Sequence, residues 1–305
     1  MNPKNYLMSF GYLQPNTTHG DDEMRDAVMN FQRMANLEMT GDVNNATMQM
    51  MEKPRCGVED MIGSAVNGTN TNDTYNTTFM PRLKRYALSS VKWSKTDLTY
   101  KFVSFTKDLS IADQKAAIER AFKHWADVTP LSFTEVIQGD ADILIEFAAG
   151  VHSDGFAAKF DGPGGTLAHA YFPESGDAHF DDDETFTVNS YEGINLDSVA
   201  AHVFGHSLGL AHSSVPGAQM APFYEGYNPD FSLAKDDISG IQALYGPDQI
   251  SNNRTTVTLD IIMTATQRMS TPDLIARIKS SKDLLSKNKD VDTEFLGCTT
   301  SLAGL

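Results

Sequence analysis

The segment that decides the fold and chemistry of this chain reads His202-Val203-Phe204-Gly205-His206-Ser207-Leu208-Gly209-Leu210-Ala211-His212. His202 and His206 are four residues apart, so on a helix they project from one face and can share a metal ion. Gly209 can adopt a positive φ and end that helix, which lets the chain turn back and present His212 as a third ligand. Three imidazoles with an open fourth position are typical of a catalytic zinc site.

A methionine further along the chain completes a longer pattern. The three histidines, Gly209 and Met220 follow the order His-Glu-x-x-His-x-x-Gly-x-x-His with a later Met-turn, which is the metzincin signature. A lone His-x-x-x-His pair more often belongs to an ordinary core, but five residues in register favour the zinc site. The chain departs from the signature at Val203, where the pattern has glutamate.

Length and charge narrow the classes of protein that fit. The chain has 305 residues, of which 41% are hydrophobic, so we expect a packed core in one large or two modest domains. The formal net charge of -16 argues against nucleic acid as a partner, because its phosphates would be repelled. Part of the acidity is a run of carboxylates shortly after His179. Such a run is either a solvated loop or a site for a hard cation.

The cysteines and the first residues of the chain indicate the cellular compartment in which the protein is expected. The chain has 2 cysteines, Cys56 and Cys298, so it is not a small disulfide-stapled scaffold. Cys298 is either a free thiol or a bridge to another chain. No apolar run reaches the ~20 residues needed to cross a bilayer. Met1 leads directly into polar sequence and no signal peptide is visible, so for a secreted protein we expect a truncated or processed start.

The first part of the chain is predicted to be a helical bundle followed by a linker. Over residues 1–62, apolar periodicity and capping residues predict helices at 2–10, 24–35 and 47–51. Residues 63–85 are rich in Asn, Thr and Gly and read as a flexible linker. Three Asn-x-Thr sequons indicate that this linker is glycosylated and extracellular: Asn67, Asn72 and Asn76.

A basic run ends the linker. Arg82-Leu83-Lys84-Arg85 is either a solvated basic patch or the processing site of a furin-like protease. Its position at a domain boundary favours processing, because exposed segments are where proteases cut.

Residues 86–246 are predicted to form a second domain. Strands are expected at 98–105, 131–136, 141–147 and 167–172, with helices beginning at Ser110, Leu196 and Leu233. This order predicts an α+β or mixed α/β layer domain. Residues 247–305 form a polar tail with no recognisable domain.

From about Tyr6 to Gly246 the chain resembles the matrix metalloproteinase family. Pro54-Arg55-Cys56-Gly57-Val58-Glu59-Asp60 is similar to the family's cysteine switch, with Glu59 in place of proline. The resemblance implies that the Cys56 thiolate takes the fourth zinc position and keeps the enzyme latent, while Arg55 and Asp60 brace the loop. It also implies a metzincin-type catalytic domain, with a twisted, mostly parallel sheet and three helices, behind a small helical propeptide.

The resemblance implies further metal sites. One aspartate and three histidines match the family's structural zinc site: His152, Asp154, His169 and His179. Carboxylates and backbone carbonyls match its calcium loop: Asp161, Gly162, Gly164, Thr166, Asp181 and Glu184. Further calcium ions are expected at two places, one near Asp142 and Asp177 and another near Asp108, Asp182 and Glu184.

Substrate binding follows from the same resemblance. The strand at 166–170, with Leu167 and Ala168, resembles an edge to which an extended peptide adds itself. Pro222, Phe223 and Tyr224 would form the wall of a specificity pocket, or else a surface turn. The partners implied are extracellular matrix proteins as substrates, protein inhibitors of metalloproteinases and a furin-like activating protease, in a secreted protein.

The position of Val203 puts catalysis in question. In the family this residue is the glutamate that takes a proton from zinc-bound water. Valine has no ionisable group, and loss of a general base costs about 10² to 10⁴ in rate. No neighbouring carboxylate is an obvious substitute, and Glu225 lies beyond the Met-turn on another wall. The valine is a natural feature of a pseudoprotease, an engineered knock-out, or an error or variant, since valine and glutamate codons differ by one base.

Three functions therefore compete. The leading one is a latent zinc endopeptidase that acts on matrix proteins after propeptide removal. The second is a non-catalytic protein that binds matrix proteins or inhibitors through the same cleft. The third is a storage or structural zinc protein, which would need no cleft and no exposed metal.

Overall fold

The computed structural model describes residues 1–15, 17–60, 91–155 and 158–248. The predicted glycosylated linker, the basic run at 82–85 and the tail with Cys298 lie outside these ranges. Within the described residues, no helix combines the length and apolar character that crossing a membrane requires.

The N-terminal bundle consists of three helices: α1 (Pro3–Ser9), α2 (Asp21–Met34) and α3 (Asn45–Met51). The Asn2 side chain caps α1 by accepting a hydrogen bond from the Lys4 backbone amide at 2.9 Å. The apolar face of α2 is buried against the other two helices through Ala27, Val28 and Phe31. The bundle therefore has a small core of its own, as the periodicity predicts.

A six-stranded sheet forms the centre of the second domain. Its strands are β1 (Arg55–Cys56), β2 (Asp97–Phe102), β3 (Ser132–Glu135), β4 (Ile143–Ala148), β5 (Thr166–Ala170) and β6 (Ala178–Asp181). They lie in the order β1-β5-β6-β4-β2-β3, and all neighbours are parallel except β5 and β6. A separate parallel pair is formed by β7 (Phe186–Thr187) and β8 (Ile194–Asn195).

Three helices pack with this sheet: α4 (Ile111–Ala126), α5 (Leu196–Ser207) and α6 (Lys235–Tyr245). Ser110 caps α4 through the predicted bond to the Asp113 amide. Helices α4 and α5 meet at Phe122 and Phe204, whose rings are stacked with centroids 3.8 Å apart. The mostly parallel sheet with three helices confirms the predicted α+β fold class, preceded by a helical bundle.

Several strands differ from their predicted bounds. The strand predicted over 98–105 ends at Phe102, and the one predicted over 167–172 ends at Ala170. Strand β6 was not predicted, because its two polar residues resemble loop sequence although all four of its residues are buried. Strand β1 was not predicted either, since two residues carry no periodicity and the strand exists only by pairing with β5.

Candidate metal centre

Three histidines converge at one point beside α5. The Nε2 atoms of His202 and His206 are 3.2 Å apart, and that of His212 lies 3.2 and 3.1 Å from them. His202 and His206 are one turn apart on α5. The helix ends at Ser207, and Gly209 has a φ of +103°, so the chain reverses and brings His212 back, as the spacing predicts.

The opposite ring nitrogens fix the tautomers of these histidines. The Nδ1 atoms of His202 and His206 lie 2.7 Å from backbone carbonyl oxygens, and that of His212 lies 2.7 Å from the Asp60 carboxylate. Because these oxygens can only accept, each Nδ1 carries the proton and each Nε2 keeps a lone pair toward the shared point. This is the arrangement that a metal ligand requires.

Burial keeps the three imidazoles neutral. It lowers the pKa of His202 to about 3, with a further contribution from nearby His212, and it lowers the pKa of His206 well below its ordinary value. Neutral imidazole is the form that binds a metal ion, so the site suits a cation without loss of a proton from these rings.

Cys56 completes the cluster from the N-terminal side. Its sulfur and the three histidine nitrogens all lie within 4.8 Å of one another. Burial raises the pKa of the Cys56 thiol to about 12, so the thiolate forms at neutral pH only if a cation stands beside the sulfur. Three neutral imidazoles and one thiol, all buried, are a donor set that fits tetrahedral zinc.

The switch segment, residues 54–60, is held between two parts of the second domain. On one side the Gly57 amide donates to Ala168 of β5 at 2.8 Å. On the other side the Cys56 amide donates to Pro222 at 2.9 Å, and the Tyr224 amide donates to Pro54 at 2.9 Å. The segment therefore lies where an extended peptide would add to the edge of β5.

A buried ion pair fixes this segment. Arg55 donates to the Oδ1 atom of Asp60 at 2.6 Å, and the Tyr12 hydroxyl donates to Oδ2 at 2.5 Å. Burial alone would raise the pKa of Asp60, but the Arg55 charge and the bond from His212 hold it well below its ordinary range. Glu59, which replaces the proline of the switch pattern, is exposed, and the segment keeps its bonds with glutamate there.

The predicted substrate pocket residues line one cavity of about 500 Å³ next to the metal cluster. They are Leu167, Ala168, Pro222, Phe223 and Tyr224. Arg55 and Cys56 of the switch segment also line it. The triplet 222–224 is therefore a wall of the cleft and not a surface turn.

Val203 lies in the wall of the same cavity and is fully buried. In the described part of the chain, the metal cluster contains no carboxylate. Glu225 also lines this cavity, but its side chain is 71% exposed and lies 3.1 Å from the Lys53 ammonium. The carboxylate that touches the cluster is Asp60, and it belongs to the switch segment.

A second cluster joins the four residues predicted for structural zinc. The Nε2 atom of His152 lies 2.8 Å from Oδ1 of Asp154. The other carboxylate oxygen, Oδ2, lies 2.8 Å from Nε2 of His169 and 3.0 Å from Nδ1 of His179. The His152 Nε2 and Asp154 Oδ1 atoms are buried yet make no hydrogen bond of acceptable geometry. His169 and His179 hydrogen-bond to the other carboxylate oxygen, and all four ligand atoms lie within 4.8 Å of one another, which fits three imidazoles and one carboxylate around a zinc ion.

The residues predicted for the calcium loop are joined by hydrogen bonds from backbone amides to carboxylates, unlike the converging ligand atoms of the two histidine clusters. Backbone amides of the loop donate to its carboxylates, from Gly162 to Asp181 at 3.2 Å and from Gly164 to Glu184 at 2.6 Å. The Thr166 amide likewise donates to Asp161 at 2.9 Å. Burial, then mutual repulsion, raises the pKa values of Asp181 and Glu184. Such repulsion is what a bound cation relieves.

The residues predicted for further calcium ions make hydrogen bonds and ion pairs with other groups. Asp142 is 2.7 Å from the Lys95 ammonium, and Asp177 accepts from the Leu144 amide at 3.0 Å. Asp108 accepts from the Phe186 amide at 2.8 Å, while Asp182 has one buried oxygen without a hydrogen-bond partner. Within the described ranges, groups of three or more His, Cys, Asp or Glu ligand atoms within 4.8 Å of one another occur only at the two histidine sites.

Two supports of the site were not found from sequence. Asp237 accepts from the amides of Gln219 and Met220 at 2.8 and 3.0 Å and so holds the Met-turn under the histidines. The Tyr6 hydroxyl of the bundle accepts a hydrogen bond from Arg55, and the Tyr12 hydroxyl donates one to Asp60. Nothing in the sequence near these residues signals a role at a site far along the chain.

Comparisons with known proteins agree with this geometry. Residues 92–246 match the profile of the Matrixin peptidase family, and residues 3–51 match that of a peptidoglycan binding domain. The chain is 42% identical to the hatching enzyme of Paracentrotus lividus over 83% of its length and 40% of the relative's. It is 42% identical to the interstitial collagenase of Bos taurus, over 81% of this chain and 49% of that one.

A third relative is matrix metalloproteinase-19 of Mus musculus, 41% identical over 79% of this chain and 43% of the relative. The chain therefore spans half or less of the length of these relatives. The profile covers the sheet from β2 to β6, helices α4 to α6 and both histidine clusters. On this match, and on a metallopeptidase scaffold assembled around three converging histidines, the chain belongs to the matrixin family.

Proposed function

We propose that the chain is a latent, zinc-dependent endopeptidase that cleaves extracellular matrix proteins after its propeptide is removed. The observation that carries this proposal is the convergence of three histidine Nε2 atoms with the Cys56 sulfur. Latency follows from the switch segment, which fills the position of an extended peptide on β5. The proposal includes a secreted, glycosylated protein, activation by a furin-like protease at Arg85 and recognition by protein inhibitors.

Zinc in this site would supply a Lewis acid and an activated water. His202, His206 and His212 would hold the ion, and Cys56 would leave the fourth position when the propeptide is released. The edge of β5 would then bind an extended substrate through backbone bonds, while the wall at 222–224 accepts a side chain.

The second zinc and the calcium would have structural roles. The cluster of His152, Asp154, His169 and His179 is a closed donor set, which is typical of structural zinc. Calcium would be bound by the loop at 161–166 together with Asp181 and Glu184.

A non-catalytic binding protein is the second candidate, favoured by Val203. Its buried side chain cannot accept a proton, and Glu225 in the cavity lining is paired with Lys53. Such a protein would bind matrix proteins or inhibitors in the same cleft without cutting them. The scaffold and latency would be the same in both cases, so the two candidates differ only in turnover.

A comparison of Val203→Glu with the native chain separates the two candidates. Both proteins are processed at Arg85, loaded with zinc and assayed on a peptide substrate. We expect Val203→Glu to raise kcat by about 10² to 10⁴, because it supplies a general base beside the ion. Val203→Gln is the matched control, since it adds similar volume without a base and should stay at the native rate.

The remaining outcomes are also informative. Cleavage only by Val203→Glu would identify the native chain as a binding protein. Equal rates for the native chain and Val203→Glu would show that position 203 is not where the base acts. Failure of the native zinc-loaded chain and of Val203→Glu to cleave any peptide would contradict the endopeptidase scaffold itself.

A further inference from the structure

Asp60 makes a contact with the metal centre that is separate from its ion pair with Arg55 and from the approach of Cys56 to the histidines. Its Oδ1 atom lies 2.7 Å from the Nδ1 atom of His212, a residue 152 positions further along the chain. Both side chains are fully buried, so no water competes for this bond. A residue of the switch segment therefore contacts a zinc ligand from behind.

The other two histidines of the cluster provide an internal comparison. His202 and His206 direct Nδ1 at the backbone carbonyls of Gln219 and Leu210, both 2.7 Å away and both neutral. His212 alone among the three directs Nδ1 at a carboxylate. A carboxylate behind an imidazole makes the metal-facing nitrogen a stronger ligand and fixes the orientation of the ring.

The carboxylate is held so that it cannot turn away from His212. Arg55 donates to Oδ1 at 2.6 Å, and Tyr12 donates to Oδ2 at 2.5 Å. Arg55 is itself fixed by a bond to the Tyr6 hydroxyl at 2.7 Å. The whole arrangement is buried in the contact between the N-terminal bundle and the second domain.

We propose that Asp60 is a positioning residue for the zinc ligand His212, and that the latent chain retains its zinc more tightly because the switch segment supplies this carboxylate. The proposal rests on zinc binding by the three histidines, as set out under the proposed function. It assigns the switch segment two roles at one ion: Cys56 occupies the fourth position, and Asp60 strengthens the third ligand. Release of the segment would then withdraw both together.

The competing explanation is that Asp60 only neutralises Arg55 and so keeps the segment in place. The two explanations differ in the order of events. If Asp60 acts through His212, substitution accelerates zinc release while Cys56 stays protected until the ion leaves. If Asp60 only holds the segment, the Cys56 thiol becomes reactive first and zinc release follows.

The experiment measures both events on the full, zinc-loaded latent chain. A Cys298→Ala background leaves Cys56 as the one thiol of the chain. Excess 4-(2-pyridylazo)resorcinol reports zinc release, and a disulfide reagent in a parallel sample reports the thiol. The catalytic-site ion is the one still released in a His179→Asn background, which lacks a ligand of the second cluster.

Three variants test the proposal. Asp60→Asn should release that ion about 10- to 100-fold faster, the usual effect of losing an outer carboxylate partner of a metal-bound histidine. Arg55→Gln with Asp60→Asn removes both charges, so no lone buried guanidinium disturbs the fold, and should match Asp60→Asn. Thr47→Val is the matched control: it removes a buried bond from Gln32 inside the bundle but touches neither Asp60 nor His212, and its release should stay near the native rate.

Each contrary result is decisive. Native release rates in Asp60→Asn would overturn the proposal, as would thiol exposure that precedes zinc release. Acceleration in Thr47→Val equal to that in Asp60→Asn would assign the effect to loss of any buried bond in the bundle. A native chain that holds no zinc at all would instead contradict the proposed function, which separates the two failures.

Discussion

The Arg55 side chain is only 1% exposed, and its surroundings explain how a charge is stable there. Its guanidinium lies 3.5 Å from the centre of the Phe10 ring and 5.2 Å from that of Phe223. Cation–π contacts of this kind add to the ion pair with Asp60. Loss of one partner from such a buried pair typically costs 3–5 kcal/mol, because the other charge is left alone. The switch segment therefore depends on both residues together.

Gly57 offers a test of how tightly the switch segment docks on β5. A Cβ atom at this position would lie 2.6 Å from the Thr166 Cγ2 atom and 3.3 Å from the His169 Cβ atom. We expect Gly57→Ala to destabilise the docked state by about 1–3 kcal/mol, the usual cost of overpacking. The measurement is the rate at which a thiol reagent modifies Cys56 in the latent chain, which should rise.

Thr166→Ser is the partner variant for this test. It removes the Cγ2 atom but keeps the backbone groups of the calcium loop, so Gly57→Ala in that background should regain part of its protection. Equal reactivity of the native chain and Gly57→Ala would contradict the close approach of the two strands.

Helix α5 is packed so tightly that its middle requires a glycine. A Cβ atom on Gly205 would lie 2.2 Å from the Met220 sulfur and 3.0 Å from the Trp125 ring. Alanine favours an isolated helix by about 1 kcal/mol over glycine, yet we expect Gly205→Ala to lower the free energy of unfolding by about 1–3 kcal/mol. Urea unfolding measures the change.

The clash predicts a specific coupling in α5. Because Met220→Ala removes the sulfur, the combined variant should lose less stability than the two single variants added together. Simple additivity would mean that Gly205 and Met220 do not meet. A more stable Gly205→Ala protein would mean that helix propensity outweighs packing at this position.

The loop at 161–166 lies against the end of strand β6. Three carboxylates, of Asp161, Asp181 and Glu184, accept hydrogen bonds from its backbone amides. We expect calcium to raise the melting temperature, since an ion at 100 times its Kd stabilises the folded state by about 2.7 kcal/mol. Asp181→Asn should reduce this response, whereas Asp140→Asn, at an exposed position, should leave it unchanged. A melting temperature that changes neither with calcium nor with a chelator would contradict the predicted site.

At the scale of the whole molecule, the N-terminal bundle and the cleft wall share one aromatic core. The Phe31 and Phe223 rings meet edge to face with centroids 6.2 Å apart, so a residue of the predicted pocket wall is buried by the bundle. A Phe ring buried in this way contributes about 1.5–3 kcal/mol. The docked bundle therefore covers part of the predicted pocket wall.

Metal content is the prediction that belongs to the whole molecule. We expect about two zinc ions per chain by elemental analysis, one for each histidine cluster. His179→Asn should reduce this to about one, and removal of zinc from the native chain should lower its melting temperature, because metal binding contributes to folding free energy. His124→Asn, on a histidine outside both clusters, is the control and should keep both ions. A native chain without zinc would contradict the metal sites as a whole.

The sequence by itself determined the features that depend on local geometry. Helical spacing put His202 and His206 on one face, and Gly209 marked the turn that returns His212. Alternation and helical periodicity were enough for the α+β class, and the resemblance of the motifs at 54–60 and 202–212 indicated the matrixin family; both are confirmed.

Only the tertiary structure decided what lies between distant parts of the chain. The pairing of β1 with β5 and the bond from His212 to Asp60 join residues more than a hundred positions apart. Periodicity reports how a segment folds along its own axis, and it carries no information about which segment packs against it. The family resemblance predicted Cys56 beside the histidines and the pairing of Arg55 with Asp60, but the contacts of the switch segment with β5 and with the back of His212 became visible only in the folded molecule.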